Sequence, residues 1–299
     1  MRKTFIFIFS AFLAFYSNFL ISQNSLNLID FIDYHVVFPK EKINSLNISK
    51  LDISVTQKKK DDIIRESPTT KTLYFNSEGQ LVHLKEYIER NGFLDTTLTY
   101  WFYHSSGQIE SEILLNPYGV FVKRYSFDDN DRVISFKQFQ KYGVKHLEEI
   151  KSINESGFTV QESYVYQDFD NQVKKTFFNS EGKPYADLIQ YFNSFGKLEK
   201  EVFRLHRTMK SSTTAFEYCN KGKLKQISQS SISGEGKNKK ITFEYDDGNN
   251  LNSAKYYEND EEQKEYQLIY DERGLLLYKL IKNASNEFIT VFKVKSDLI

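Results

Sequence analysis

The side chains that can do chemistry are thinly spread in this chain. The five histidines, His35, His83, His104, His146 and His206, lie far apart, and no HExxH pair exists, since His146 is followed by Leu147, Glu148 and Glu149. His83 and His104 fall on neighbouring strands or turns and can be imagined sharing a metal. His104, however, fills the first polar slot of a turn, and a turn residue beside a surface residue is the plainer reading. Asp128, Asp129, Asn130 and Asp131 look like the start of a calcium loop but lack its later Gly and Glu. Cys219 is the only cysteine, which excludes an intramolecular disulfide and a Cys/His zinc site. It too occupies a turn position, with no basic partner fixed nearby to activate it. A pair of carboxylates can hydrolyse glycosides, but 40 Asp and Glu along the chain single out no pair. No GxSxG, P-loop or GxGxxG is present. The expectation is a protein without catalytic residues, metal or cofactor.

Aromatic side chains are the remaining candidates. Tyr100, Trp101, Phe102 and Tyr103 form the densest cluster and include the only tryptophan; Tyr256 and Tyr257 form a lesser one. Exposed aromatics on a sheet can stack on sugars or anchor a protein partner. The alternative is that they are core.

What must position these residues is a recurrent turn. An aromatic or aliphatic residue precedes Asn or Asp, two polar residues, a Gly-like residue, a variable residue and an aliphatic. The Gly-like positions are Gly79, Gly107, Asp131, Gly157, Gly182, Gly196, Gly222, Asn249 and Gly274. Their spacing is about 25 residues, with one half-length step from Gly182 to Gly196. Asn or Asp at the first slot can bond backbone two residues on. The Gly slot needs a positive φ, which Gly adopts freely and Asp and Asn tolerate best. This is the chemistry of a type I turn closed by a G1 bulge. One strand between Gly182 and Gly196 predicts that the turns from Gly79 to Gly182 lie on one sheet edge and those from Gly196 to Gly274 on the other.

Between these turns lie looser ones, such as Asn91-Gly92 and Asn259-Asp260. Period-two alternation is clear in Ile241, Phe243 and Tyr245 and in Tyr266, Leu268 and Tyr270. Residues 98–103 are apolar on both faces, as in a strand covered on both sides. Residues 48–56 read as the first strand, 58–70 as a solvated loop, 288–295 as the last strand and 26–34 as a short helix. The predicted fold is all-β: a long antiparallel meander of roughly 17 to 20 strands that twists or curls, because a flat sheet of that size is unstable.

Charge and composition narrow the function class. Lys+Arg and Asp+Glu are both 40, so no basic excess attracts nucleic acid. Aromatics make up 16% of residues, which excludes a disordered chain. At the N-terminus, Arg2 and Lys3 precede an apolar run over 5–21, the pattern of an export signal. Cleavage is expected after Ser22, with an uncleaved anchor as the alternative. No cysteine near that point can carry a lipoprotein anchor. The domains are then a signal peptide (1–22), an N-terminal cap segment (23–47) and the repeat domain (48–299).

Two stretches carry a family resemblance: Leu268-Ile269-Tyr270-Asp271-Glu272-Arg273-Gly274-Leu275-Leu276 and Tyr125-Ser126-Phe127-Asp128-Asp129-Asn130-Asp131-Arg132-Val133. Their Tyr-x-Tyr-Asp-x-x-Gly-x-Leu core resembles the YD repeat of bacterial RHS-type proteins over about 48–295. The half-period glycine spacing also resembles MORN-variant repeats of exported bacterial proteins. The first resemblance implies a sheet spiralling into a shell around a toxin, although the family's core and toxin domain find no match here.

The resulting expectation is an exported, non-catalytic binding or scaffold module of the periplasm, cell surface or exterior. Its partner would be a protein or a glycan, with no membrane span after signal removal, and free edge strands would allow dimers. The alternatives are a part of an RHS- or MORN-like toxin system, or a hydrolase of surface polymers.

Overall fold

The computed structural model describes residues 37–90, 92–143, 159–231 and 238–296. The export signal, the helix expected over 26–34, His35, His146 and Gly157 lie outside them. After a six-residue helix α1 (Lys40–Ser45) come eighteen strands. They are β1 (Lys50–Lys58), β2 (Arg65–Phe75), β3 (Leu81–Arg90), β4 (Phe93–Tyr103), β5 (Ile109–Asn116) and β6 (Gly119–Phe127). Next are β7 (Val133–Tyr142), β8 (Val160–Asp168), β9 (Gln172–Phe178), β10 (Pro184–Phe192), β11 (Leu198–Leu205) and β12 (Ser211–Tyr218). The last are β13 (Leu224–Ser231), β14 (Lys239–Tyr245), β15 (Leu251–Glu258), β16 (Glu261–Tyr270), β17 (Leu276–Asn283) and β18 (Ile289–Ser296). The loop expected over 58–70 is shorter, because β2 begins at Arg65.

Each strand pairs antiparallel with its sequence neighbours, and β1 also pairs with β18 from Leu51↔Ser296 to Lys58↔Ile289. That seam corrects the open, curled meander expected from sequence. The sheet is a closed barrel of 18 strands, and closure removes the two edges that an open array would expose.

The hairpin turns are built alike. In the first, the Gly79 amide donates to Asn76 O (3.0 Å), the Asn76 amide donates to Gln80 O (3.0 Å), and Asn76 Oδ1 accepts from the amides of Glu78 and Gln80. Gly79 has φ +78°, and Asp131 and Asn249 reach +58° and +64° at the same slot. Turns with this slot at Gly79, Gly107, Asp131, Gly196, Gly222, Asn249 and Gly274 lie on one rim, called here the first, and Gly182 lies on the second. Gly182 and Gly196 are thus on opposite rims, yet Gly196 to Gly274 share the rim of Gly79, against the expectation. Only three strands, β7 to β9, separate Asp131 from Gly182, and β7 pairs directly with β8. This earlier odd step cancels the later one.

A tyrosine ties successive turns together. The hydroxyl of Tyr218 donates to Leu198 O (2.8 Å), Tyr245 to Leu224 O (2.8 Å) and Tyr270 to Leu251 O (2.9 Å). Tyr103 does the same to Leu81 O (2.6 Å). In each, the aromatic residue before one turn reaches the aliphatic residue after the preceding turn. The Tyr-Asp-x-x-Gly-x-Leu pattern is therefore a latch between neighbouring hairpins.

Strand alternation divides the residues into two faces. Leu51, Leu73, Leu84, Trp101, Ile227, Phe243, Tyr266 and Val294 share one face and gather with Phe38 and Ile43 of the α1 segment in one core cluster. The cluster runs unbroken over β13–β18 and β1–β4, and the α1 segment packed on it marks this face as inward. Ser54, Ser163, Thr213, Ser228, Thr242 and Glu265 lie on the outward face. The α1 segment sits at the first rim. A Cβ on Gly79 would run into the backbone of Lys40 and Asn44.

Candidate functional site

The inward face carries ionisable groups amid its aromatics. On β9, Val173, Lys175 and Phe177 point in, and Lys175 is opposite Tyr166 of β8 and Leu188 of β10. Its side chain is 2% exposed. The ammonium nitrogen lies 3.8 Å from the Tyr164 ring centroid, 5.0 Å from Phe177 and 5.6 Å from Tyr166. Two carboxylates share this sector. Glu162 accepts the hydroxyls of Tyr164 (2.8 Å) and Tyr185 (2.7 Å), and buried Glu201 accepts Gln190 Nε2 (2.8 Å). Tyr125, Phe136, Ala186, Leu188, Phe203 and Leu205 pack around them.

Burial sets the protonation of this group. It pushes Lys175 down to about 7, against the upward pull of Glu162 and Glu201. It pushes Glu201 up, although Gln190 and Lys175 oppose it. The two shifts have one cause: burial deprives each charge of solvent. Burial also holds Tyr164 and Tyr185 well above the ordinary tyrosine value, with Glu162 adding to the effect.

A second inward group lies in β4 to β6. Trp101 Nε1 donates to Glu112 Oε2 (3.1 Å), and Lys123 Nζ donates to Glu112 Oε1 (2.8 Å). Lys71 and Glu86 pair nearby on β2 and β3. These side chains are between 18% and 28% exposed, so water reaches this part of the inward face.

The four aromatics singled out in the sequence separate by strand alternation. Trp101 and Tyr103 face inward and join the core cluster. Tyr100 faces outward and stacks on His83 (4.3 Å, 5°), which stacks in turn on Tyr74 (5.1 Å, 14°); Phe102 is outward and 47% exposed. Burial and Lys85 lower the pKa of His83, whose Nε2 is buried without a partner. Next to this stack, Leu98, Ile113, Leu115, Val120, Val122 and Phe139 make an outward apolar cluster. Residues 98–103 are thus buried on the inward face only, and outward Phe102 stays exposed, against the expectation of cover on both sides.

The other sequence candidates are turn residues. His104 Nδ1 is 2.9 Å from Ser106 Oγ and 3.9 Å from Asp131. His206 Nε2 meets Asp187 at 3.0 Å. Asp128 is spent on the amides of Asn130 and Arg132 and on the Arg132 guanidinium. No group of three metal-ligating side chains occurs among the described residues. At Cys219, burial pushes the thiol up, but the amides of Lys223 and Lys221 outweigh it and hold it below its usual value. An outward cleft of about 240 Å³ between β12 and β14 is lined by Thr213, Ser228, Ser230, Lys240 and Asp260. Its one ion pair, Lys240–Asp260, is surface-exposed. Lys175, Glu162 and Glu201 were missed in the sequence; the available signal was a lysine in alternation with Val173 and Phe177.

No protein-family model and no curated protein matches the sequence. Among solved structures, it is similar to a porin-like protein from Bacteroides uniformis, with TM-score 0.42, 15% identity, and coverage of 84% of this chain and 98% of that one. A porin-like protein from Bacteroides vulgatus gives TM-score 0.29 at 7% identity, covering 82% and 98%. The structure titled TcdB2-TccC3-TEV gives TM-score 0.24 at 11% identity, over 76% of this chain and 15% of that one. The closed ring itself rests on the β1–β18 pairing. It overturns the YD and MORN resemblances, for the repeated turns are the rim hairpins of one barrel and not windings of a shell.

Proposed function

We propose that this chain is an exported, non-catalytic barrel of the cell envelope that binds an amphipathic small molecule on its inward face. One observation carries the reading: closure turns inward the face that holds most of the buried aromatics, while the outward face mixes Ser, Thr, Lys and Glu with Tyr74, Tyr100 and Phe102. Membrane-spanning barrels show the reverse, an apolar band facing lipid. The outward apolar cluster of Leu115, Val120, Val122 and Phe139 is confined to β4–β7 and does not girdle the ring. Among the described residues no helix is long and apolar enough to cross a membrane. An apolar wall with a few convergent polar groups is the usual chemistry of a small-molecule site. Lys175, Glu162 and Glu201 on β8–β11, and Glu112 with Lys123 on nearby β5 and β6, supply those groups. The reading moves the ligand from the broad outer sheet, where a protein or glycan was expected, to the inside.

The test uses Trp101, the only tryptophan, which faces inward beside Glu112. Titration of the mature protein with decanol should shift its emission saturably, and glucose oligomers should not. Emission that responds to the oligomers and ignores the alcohol would place the ligand elsewhere.

A further inference from the structure

We propose that the second rim over β1–β7 docks on a lipid bilayer, with its loop tips inserted at the boundary between headgroups and acyl chains. The inference stands apart from the interior-ligand reading. Hairpin connections alternate between the rims, so the β1–β2, β3–β4 and β5–β6 connections and the end of β7 share the second one. Each presents large apolar side chains: Ile63 and Ile64, Phe93 and Leu94, Tyr118, and Tyr142. All six residues are between 61% and 76% exposed. On the first rim the same strands are joined by Asn76-Ser77-Glu78-Gly79, His104-Ser105-Ser106-Gly107 and Asp128-Asp129-Asn130-Asp131, which hold no large apolar side chain. The two ends of this side of the barrel therefore differ in kind.

The tips carry partners for their own backbone, which lowers the cost of leaving water. Asn116 Oδ1 accepts from the amides of Tyr118 (2.9 Å) and Gly119 (3.2 Å), the Gly143 amide donates to Tyr118 O (3.3 Å), and Asp62 Oδ1 accepts from the Ile63 amide (2.8 Å). Exposed Lys58, Lys59 and Lys60 precede Ile63, and exposed Lys141 precedes Tyr142, so cations flank the tips as lipid phosphates require. Asp61, Asp62, Glu66, Glu89 and Asp95 nearly balance those charges, and apolar insertion rather than charge then carries the binding. Neighbouring tips are two strands and so about 10 Å apart, with polar Thr96 and Asn116 between them. A protein interface gathers its anchors in one packed centre. Separate tips suit a fluid boundary that closes around each of them, with the tyrosines at headgroup level.

The experiment floats mature protein, free of the apolar run over 5–21, with vesicles of phosphatidylcholine and phosphatidylglycerol in equal parts. The protein should rise with the vesicles. Phe93→Ser with Leu94→Ser should weaken partition by about tenfold or more, because full burial of either side chain is worth at least that factor. Ile63→Ser with Ile64→Ser should do the same. All four side chains are exposed, so both double variants should melt with the wild type, and should one pair not fold, the other decides. Phe195→Ser, at an exposed first-rim tip, should float as the wild type does. Absence of flotation, flotation that both tip pairs leave unchanged, or an equal loss from Phe195→Ser would overturn the proposal. Decanol should shift Trp101 emission alike in all these proteins. Flotation without any decanol response, in the wild type included, would remove the interior-ligand reading and leave the docking rim standing.

Discussion

Replacing Tyr218, Tyr245 and Tyr270 together by Phe removes three hydroxyls and keeps every ring in place. Each hydroxyl donates to a rim carbonyl at 2.8 to 2.9 Å, and a hydrogen bond of this kind contributes a net of about 1 kcal/mol. The three stand on β12, β14 and β16, two strands and therefore about 10 Å apart. At that spacing their effects should add, for a loss of about 3 kcal/mol. At an unfolding entropy of about 2.1 cal/mol/K per residue, 1 kcal/mol in a chain of this size corresponds to about 1.7 °C, so the triple variant should melt about 5 °C lower. Calorimetry on the mature chain measures it, with Tyr118→Phe as the control, since Tyr118 is 68% exposed at the second rim. A triple variant that melts with the wild type would refute the latch account of the Tyr-Asp-x-x-Gly-x-Leu pattern.

Two further outcomes follow from packing and charge. Gly79→Ala should destabilise far more than Gly182→Ala in thermal melts: both sites have positive φ, but only at Gly79 does a Cβ meet helix backbone. For Lys175, the folded pKa of about 7 lies below the unfolded value. The unfolded chain then binds more protons between pH 7 and about 10.4, so this residue makes stability rise with pH across that window. Lys175→Met should lack that rise when denaturation midpoints are compared from pH 7 to 10; an unchanged slope would assign it to other groups.

Local chemistry was the legible part of this fold. Antiparallel strands in roughly the right number followed from period-two stretches and from turns whose Asn or Asp side chains bond their own backbone. Those interactions span only a few residues, as in Asn76 to Gln80. Closure was not legible, because it depends on pairing Leu51 with Ser296, and no local pattern records a partner so distant. The rim assignment failed for a related reason. The spacing from Asp131 to Gly157 looks like a full period, yet a single described strand, β7, precedes β8 there. The inward charges were obscured by their context. Lys175 follows Lys174 and reads as a solvated pair until alternation turns one outward to Asp187 (3.2 Å) and the other inward. The aromatic run at 100–103 looked like one site, but a strand divides such a run between two environments.

The most direct test of the account is a disulfide across the seam. Ser54 and Lys293 face each other on β1 and β18, and paired residues in an antiparallel ladder sit within disulfide range. In a Cys219→Ser background, Ser54→Cys with Lys293→Cys should oxidise to an intramolecular bond, seen as a faster monomer on non-reducing gels and a raised melting temperature. Failure to form it, or disulfide-linked dimers in its place, would mean that the sheet is open and that its aromatic face is not enclosed.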